Sequence, residues 1–403
     1  MNKSALRVIV IGAGLGGLAL AQGLHRDGID VAVYERDASP TSRAQGYRLR
    51  MNPDGLAALE QLLPQHLNRL VSATCSIQPP SAYFDDRLDP IPSTDPGRGD
   101  EGGRNVAVNR LTLRQILLGG LGEIVSFGRE CTGYETHADG TVTARFRDGS
   151  HTTGDVLVAA DGVNSPVRQQ YLPHARVMDT GVRTIYGRCP LTEAAVAAIP
   201  ERLFTLYSGV LGPDHRHLGL APVQYRPPVH RAVAELGGAA VEFTDTEDYM
   251  MCLFSAPAEL LPLSDDELHS ASGEQLRDLV MAQTRDWSPR IGTILEMWDP
   301  ATVFPLTIRS TVPITPWQTT AVTLLGDAIH AMSPAVGVGA NTALRDAALL
   351  ATQLGKAARG AELIPALRDY ETAMLDYGFQ AVRTSAEFGR QRMGQAPLPT
   401  DAR

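Results

Sequence analysis

An α/β protein with two unlike sheets and a C-terminal helix is the fold that the 403-residue sequence predicts, and three observations predict it. Residues 6–36 read as strand, glycine turn, helix and strand. Residues 123–160 and 181–256 alternate with the period of two that marks strands, and residues 363–390 return to a long amphipathic helical pattern. The first stretch sets the class. From Val8 to Ile11 every residue is apolar and β-branched, as a strand buried on both faces requires. Gly12-Ala13-Gly14-Leu15-Gly16-Gly17 then fits G-x-G-x-x-G. Gly12 allows the tight turn, Gly14 lets a pyrophosphate approach the backbone, and Gly17 lets the following helix pack closely. That helix, starting at Leu15, turns its free N–H groups and positive dipole end toward the phosphates. A second strand over residues 30–34 ends at Glu35, whose carboxylate can accept hydrogen bonds from an adenosine ribose and would repel a 2′-phosphate. The stretch is a Rossmann-like dinucleotide-binding unit, with FAD and NAD both open at this point.

Composition narrows the field. A hydrophobic fraction of 43 % with 20 % charged residues is ordinary for a globular enzyme. The net charge of −9 and the lack of any basic run argue against a nucleic-acid partner. No stretch offers the roughly 20 uninterrupted apolar residues of a membrane span. The apolar N-terminus is split by the glycine turn, so a secretion signal is not expected and a cytoplasmic location is. Cys75, Cys131, Cys189 and Cys252 are too scattered for a zinc site or a disulfide framework. His215 and His217 have no third ligand nearby, so no metal is expected.

In chain order, Asn52 or Pro53 opens a helix with Leu56, Leu59, Leu62 and Leu63 on one face. Residues 78–103 read as short strands and loops, and a helix over about 111–121 places Arg110 at its N-terminus. Asp139-Gly140 and Asp148-Gly149 are hairpin turns of a three-stranded meander that leads into a buried strand at 156–160. A mostly antiparallel second sheet is predicted from residues 182–190, 202–210, 217–223, 231–236 and 249–256, with one helix after it at 265–284. Strands at 301–309 and 319–325 are expected to return to the first domain.

Two later stretches carry chemistry. The strand at 156–160 ends in Asp161-Gly162, with Ser165 as the N-cap and Pro166 at the first position of the next helix. Gly326-Asp327 places an acid at the carboxyl end of another strand, where open α/β sheets bind ligands. Gly337 to Asn341 then brings bare backbone toward something flat and starts a helix whose N-terminus would favour negative charge.

These three motifs, in this order and spacing, resemble those of class A flavin monooxygenases, the p-hydroxybenzoate hydroxylase-like aromatic hydroxylases. With the segment NRLTLRQIL, the chain looks most like tetracycline-degrading monooxygenases and bacterial polyketide hydroxylases. The family often has Gln where Val338 stands, a departure of small consequence if the backbone makes the contacts. The resemblance covers about residue 7 to the C-terminal helix.

The resemblance implies FAD, with the adenosine at Glu35 and Arg36, the pyrophosphate at Gly12, Gly14, Leu15 and Gly17, and Arg110 at the ribityl–pyrophosphate region. It places Asp327 on ribityl or pyrophosphate-side oxygens and Gly339, Ala340 and Asn341 on the flavin ring. Arg43 and Arg50 fall near the flavin, and Asp161 has a structural or pyridine-nucleotide-related role. NADPH or NADH is implied as a transient reductant, since no second glycine motif is present. The implied reaction uses O2 to hydroxylate an aromatic or polyketide-like small molecule through a flavin hydroperoxide, with no protein nucleophile or base evident. The domains implied are a discontinuous FAD-binding domain (1–75, 104–180 and 290–358), a substrate-binding sheet domain (76–103 and 181–289), and a C-terminal helix and tail (359–403). Substrate-facing candidates are Tyr186, Phe204, Tyr207, Met251, Phe254, Phe304 and Pro305. A monomer or loose homodimer is expected. The competing readings are an FAD-dependent reductase or oxidase and a flavin-binding protein that does not oxidise its ligand.

Overall fold

The computed structural model describes residues 6–42, 47–92, 105–236, 241, 243–244 and 246–399. Its first layer is a five-stranded sheet in the order Val322–Leu324, Val156–Ala159, Arg7–Ile11, Asp30–Tyr34, Val125–Ser126, parallel throughout. Val8, Ile9, Val10 and the facing Val156, Leu157 and Val158 are all fully buried, so the unbroken apolar runs in the sequence are explained by burial on both faces. The helices Leu15–Arg26 and Gly339–Ala358 pack together on the sheet, and the last is braced by the long helix Leu363–Met393. The meander Cys131–Thr136, Val142–Phe146, His151–Gly154 also packs against this sheet, with Phe146 against Tyr34 at 4.7 Å between ring centroids.

The second layer is a seven-stranded sheet in the order Phe304–Thr311, Val177–Pro190, Tyr249–Pro257, His217–Val223, Ser208–Leu211, Ala82–Asp85, Pro90–Ile91. All its pairings are antiparallel except Ser208–Leu211 with Ala82–Asp85. One face is covered by Leu268, Leu276, Val280, Ile291 and Ile294 from the following helices. The other carries Tyr186, Val223, Tyr249 and Met251. A two-stranded ribbon, Arg48–Met51 with Val106–Asn109, lies between the two halves.

Four expectations change. Residues 231–236 lie in a helix, Val229–Leu236, because RAVAEL is made of good helix formers and buries Val229 and Ala232 three apart. Of residues 202–210 only Ser208–Leu211 is strand, following a single 3-10 turn at Glu201–Leu203. The helix expected at 265–284 is two helices, Asp265–Ser270 and Gly273–Gln283, because Ser264 and Ser272 each open a capping box. The strand expected at 301–309, observed at Phe304–Thr311, pairs with Val177–Pro190 at the edge of the second sheet, and only Val322–Leu324 joins the first. Alternation looks the same in an edge strand of either sheet, so the local pattern did not assign it.

Candidate cofactor and substrate site

The glycine turn is held by contacts that leave its middle open. Gly12 has φ +105°, and a Cβ there would collide with the Ala160 carbonyl, while one on Gly17 would collide with the Gly12 carbonyl. A Cβ on Gly14 would meet nothing within 4 Å. Gly14 is also the N-cap of the helix Leu15–Arg26, which has no side-chain cap and no acid in its first turn. Open space, bare backbone and the positive end of a helix meet at one point, as a pyrophosphate requires.

Glu35 and an arginine that sequence reasoning missed secure this turn. The Glu35 carboxylate accepts from Ala13 N at 2.8 Å and from Asp37 N at 2.9 Å. Arg114, fully buried, donates from Nε to the Ala13 carbonyl (3.0 Å) and from a terminal nitrogen to that of Pro40 (2.6 Å), and lies 3.9 Å from Glu35. Glu35 therefore holds the turn. An arginine inside the run LTLRQILL was the available signal for Arg114.

Asp161 packs against Gly12, and among the described residues its two buried carboxyl oxygens have no partner at hydrogen-bond geometry, although the Ser165 hydroxyl stands near enough to favour the charged form. Burial raises its pKa to about 6, against the pull of Arg168 and Arg36. Arg36 is itself exposed. Ser165 caps the helix Pro166–Tyr171 as expected, accepting from Arg168 N at 2.9 Å.

The Gly326-Asp327 turn completes the floor. Asp327, at the start of the helix Asp327–His330, is open to solvent on one side while the protein packed around it desolvates its carboxyl. That confinement raises its pKa, while His330 and Arg110 pull it down. Arg110, the first residue of the helix Arg110–Leu118, has its guanidinium 5.2 Å from the centroid of the Tyr47 ring. Tyr47 in turn meets Tyr186 at 6.0 Å, and Tyr186 meets Phe304 at 5.0 Å. A run of side chains leads from Arg110 through Tyr47 and Tyr186 to Phe304 on the second sheet.

The turn itself is set by a buried network. Gly326, at φ +63°, donates its N–H to Asp346 Oδ2 at 2.8 Å. The same oxygen lies 2.6 Å from His330 Nε2, and Tyr377 donates to Oδ1 at 2.6 Å. Burial opposes charge on His330, but the adjacent Asp346 carboxylate outweighs it and raises the pKa.

Beyond this turn, Gly337 is left-handed at φ +66°, and the helix Gly339–Ala358 begins without a side-chain cap or an acid in its first turn. Gly339 and Ala340 are partly exposed at that N-terminus. The Asn341 side chain is used internally, donating to the Arg50 carbonyl at 2.9 Å and accepting from Asn52 N at 2.9 Å. It clamps Arg50 beside Gly337, whereas Arg43 lies outside the described residues.

Strand parity sorts the substrate candidates. Tyr186, Tyr207, Met251 and Phe304 gather on the sheet face that meets the ribbon. Phe254 and Phe204 lie in the core on the opposite face, because Phe254 pairs with Ile185 and shares its side. Pro305, also opposite Ile185, falls on that side too. These three are corrections: an aromatic-rich strand was legible, but which residues faced the groove was not. Tyr47 and Tyr249 join the groove side unforeseen.

The residues fit FAD. The open backbone at Gly14, the orphaned Asp161 carboxyl, Asp327 with Arg110 and the second uncapped helix N-terminus form one site with places for phosphates, hydroxyls and a flat ring. A Rossmann-type FAD-binding protein is the class this defines. A model of the FAD binding domain matches residues 296–385, and one of an NAD(P)-binding Rossmann-like domain matches residues 10–67. A crystal structure from Photorhabdus luminescens, assigned to the FAD-containing monooxygenases, superposes with a TM-score of 0.84 at 32 % identity over 96 % of this chain and 99 % of that one. HpxO of Klebsiella pneumoniae, solved with FAD and uric acid, gives 0.75 at 26 % identity over 96 % of this chain and 89 % of that one. A dual O-methyltransferase/FAD-dependent monooxygenase of Cercospora beticola is 32 % identical over 97 % of this chain but 47 % of its own length. The chain spans about half the length of the curated relatives that it matches in this way. The chain belongs to the class A FAD-dependent monooxygenases.

Proposed function

We propose that this chain hydroxylates an aromatic or polyketide-like small molecule, using NADPH or NADH and O2. The observation that carries the reading is the run of side chains from Arg110, at the helix start beside the glycine-turn site, through Tyr47 to the aromatic face at Tyr186 and Phe304. When bound, FAD supplies the redox chemistry, taking electrons from the nicotinamide and activating O2 so that one oxygen atom goes to the substrate and the other to water.

The chain's own residues bind, orient and exclude water. Gly14 and the helix behind it take the pyrophosphate; Asp327 and Arg110 take the ribityl side; Gly337 to Ala340 present backbone and a helix N-terminus to the ring, favouring negative charge there. Tyr186, Tyr207, Met251 and Phe304 form an apolar wall for a flat substrate. The family's NADPH or NADH binds transiently and O2 is the co-substrate, with the protein a monomer or loose homodimer in the cytoplasm. No helix among the described residues is long and apolar enough to cross a membrane.

The test is direct. The purified protein should show a visible flavin spectrum and consume NADPH with matching O2 uptake when the right aromatic is supplied, yielding a product heavier by one oxygen atom. NADPH oxidation with a product lacking that atom would mark a reductase instead.

A further inference from the structure

The site described above leaves one buried charge without a balancing partner. Arg48 stands on the ribbon strand Arg48–Met51 and is 8 % exposed. Strand alternation puts Arg48 and Arg50 on one face and Leu49 on the other, packed toward the main core. One terminal nitrogen of Arg48 donates to the Leu206 carbonyl, and Nε has no hydrogen-bond partner. No acidic side chain among the described residues offsets its charge; its electrostatic neighbours are Arg50, Tyr249 and Tyr207. Burial brings its pKa down to about 10, so it remains charged at neutral pH. A buried guanidinium beside a like charge, with its Nε–H unused, is costly unless something anionic completes it.

The surroundings say what that is. Tyr249 accepts from Asn109 Nδ2 at 3.2 Å and carries the Arg188 guanidinium 4.2 Å above its ring. Tyr207 and Tyr249 belong to the same aromatic wall as Tyr186, Met251 and Phe304. The Arg50 backbone carbonyl accepts from Asn341, while the Arg48 guanidinium reaches the Leu206 carbonyl beside Tyr207 of the second sheet. A planar fork of N–H donors next to tyrosine hydroxyls matches a carboxylate or an ionised ring hydroxyl.

We propose that Arg48 anchors an anionic oxygen of the substrate against the aromatic face of the second sheet. The proposal rests on the hydroxylase reading and adds a charge to its substrate class. The ionic group is either a carboxylate or an ionised hydroxyl, and the experiment separates the two.

FAD-loaded protein, without NADPH, is titrated calorimetrically with 3-hydroxy-2-naphthoate, with its neutral methyl ester, and with 2,4-dinitro-1-naphthol, whose hydroxyl is ionised at neutral pH. The acid should bind at least about tenfold more tightly than the ester. Dinitronaphthol ranks with the acid if an ionised hydroxyl suffices and with the ester if a carboxylate is required. Arg48→Met should abolish the preference, leave FAD affinity within about twofold, and leave Tm unchanged or raised, because an unbalanced buried charge is removed. Arg48→Lys should keep part of the preference. Three results would each overturn the proposal: equal affinity for acid and ester, no binding of either anion up to millimolar concentration, or a loss of FAD affinity in Arg48→Met. So would a preference that survives Arg48→Met. The titrations need neither NADPH nor O2, so their failure leaves the hydroxylase reading standing, and a failed turnover assay leaves the anion preference readable.

Discussion

Burial raises the pKa of the Asp161 carboxyl to about 6, against the pull of the Ser165 hydroxyl, Arg168 and Arg36. An unfolded aspartate titrates near 3.9, so the folded chain binds the extra proton between roughly pH 4 and 6. The contribution of Asp161 to stability is therefore present below pH 4 and lost as the pH rises to about 6. Asp161→Asn should make the FAD-free protein more stable than the parent by about 3 kcal/mol at pH 7.5, with the difference shrinking toward pH 4. Urea unfolding at pH 4.5 and 7.5 measures it; a difference that does not change with pH would remove the ionisation argument. Gly12 is constrained in the opposite sense. With φ at +105° and the Ala160 carbonyl where a Cβ would stand, Gly12→Ala should destabilise by more than about 2 kcal/mol and abolish the flavin spectrum of the purified protein. The role of Gly12 could be read from the motif, because its spacing encodes backbone geometry. The state of Asp161 could not, because burial and missing partners are products of packing.

At the scale of elements, the long C-terminal helix works as a brace for the Gly326-Asp327 turn. Tyr377 on that helix donates to Asp346, Asp346 accepts from Gly326 N and pairs with His330, and Tyr370 donates to the Leu324 carbonyl at 2.8 Å. Breaking a buried charge pair on one side costs about 3–5 kcal/mol, and losing one hydrogen bond costs about 1 kcal/mol. Asp346→Asn should thus destabilise by the larger amount and Tyr377→Phe by the smaller, as read from denaturant midpoints. Equal effects would mean that His330 carries no charge there. The sequence signal for Asp346 was an acid inside the apolar run TALRDAALL, visible but without a partner to interpret it. Elements with strong local signals were legible: the glycine-turn helix, the meander with its two Asp-Gly turns, and the capped starts at Asn52 and Ser165. What failed depended on distant partners. The strand Phe304–Thr311 went to the other sheet, and Val229–Leu236 is a helix where period two and period 3.6 compete over six residues. Phe254 was misplaced because a one-residue change of parity moves a side chain through the sheet.

For the whole molecule, the candidate cofactor site joins chain segments that are far apart in sequence. Residues 12–17, 35–36, 110–114, 161 and 326–341 meet there. A ligand that binds only the folded state adds about 2.7 kcal/mol at 100 times its Kd. FAD at that concentration should raise Tm by a few degrees. Arg114 touches the site through the turn it holds, at Ala13 and Pro40, and pairs with Glu35. Arg114→Met should destabilise the FAD-free chain through the unpaired Glu35 and also loosen the open backbone at Gly14. If the loosening weakens FAD binding tenfold, the same FAD concentration stabilises the variant by only about 1.4 kcal/mol. The comparison of interest is the FAD-dependent rise in Tm in parent and variant, not either Tm alone. An equal rise in both would show that Arg114 supports the core without shaping the pyrophosphate site. A halved rise shows that the buried arginine positions the glycine turn for its ligand.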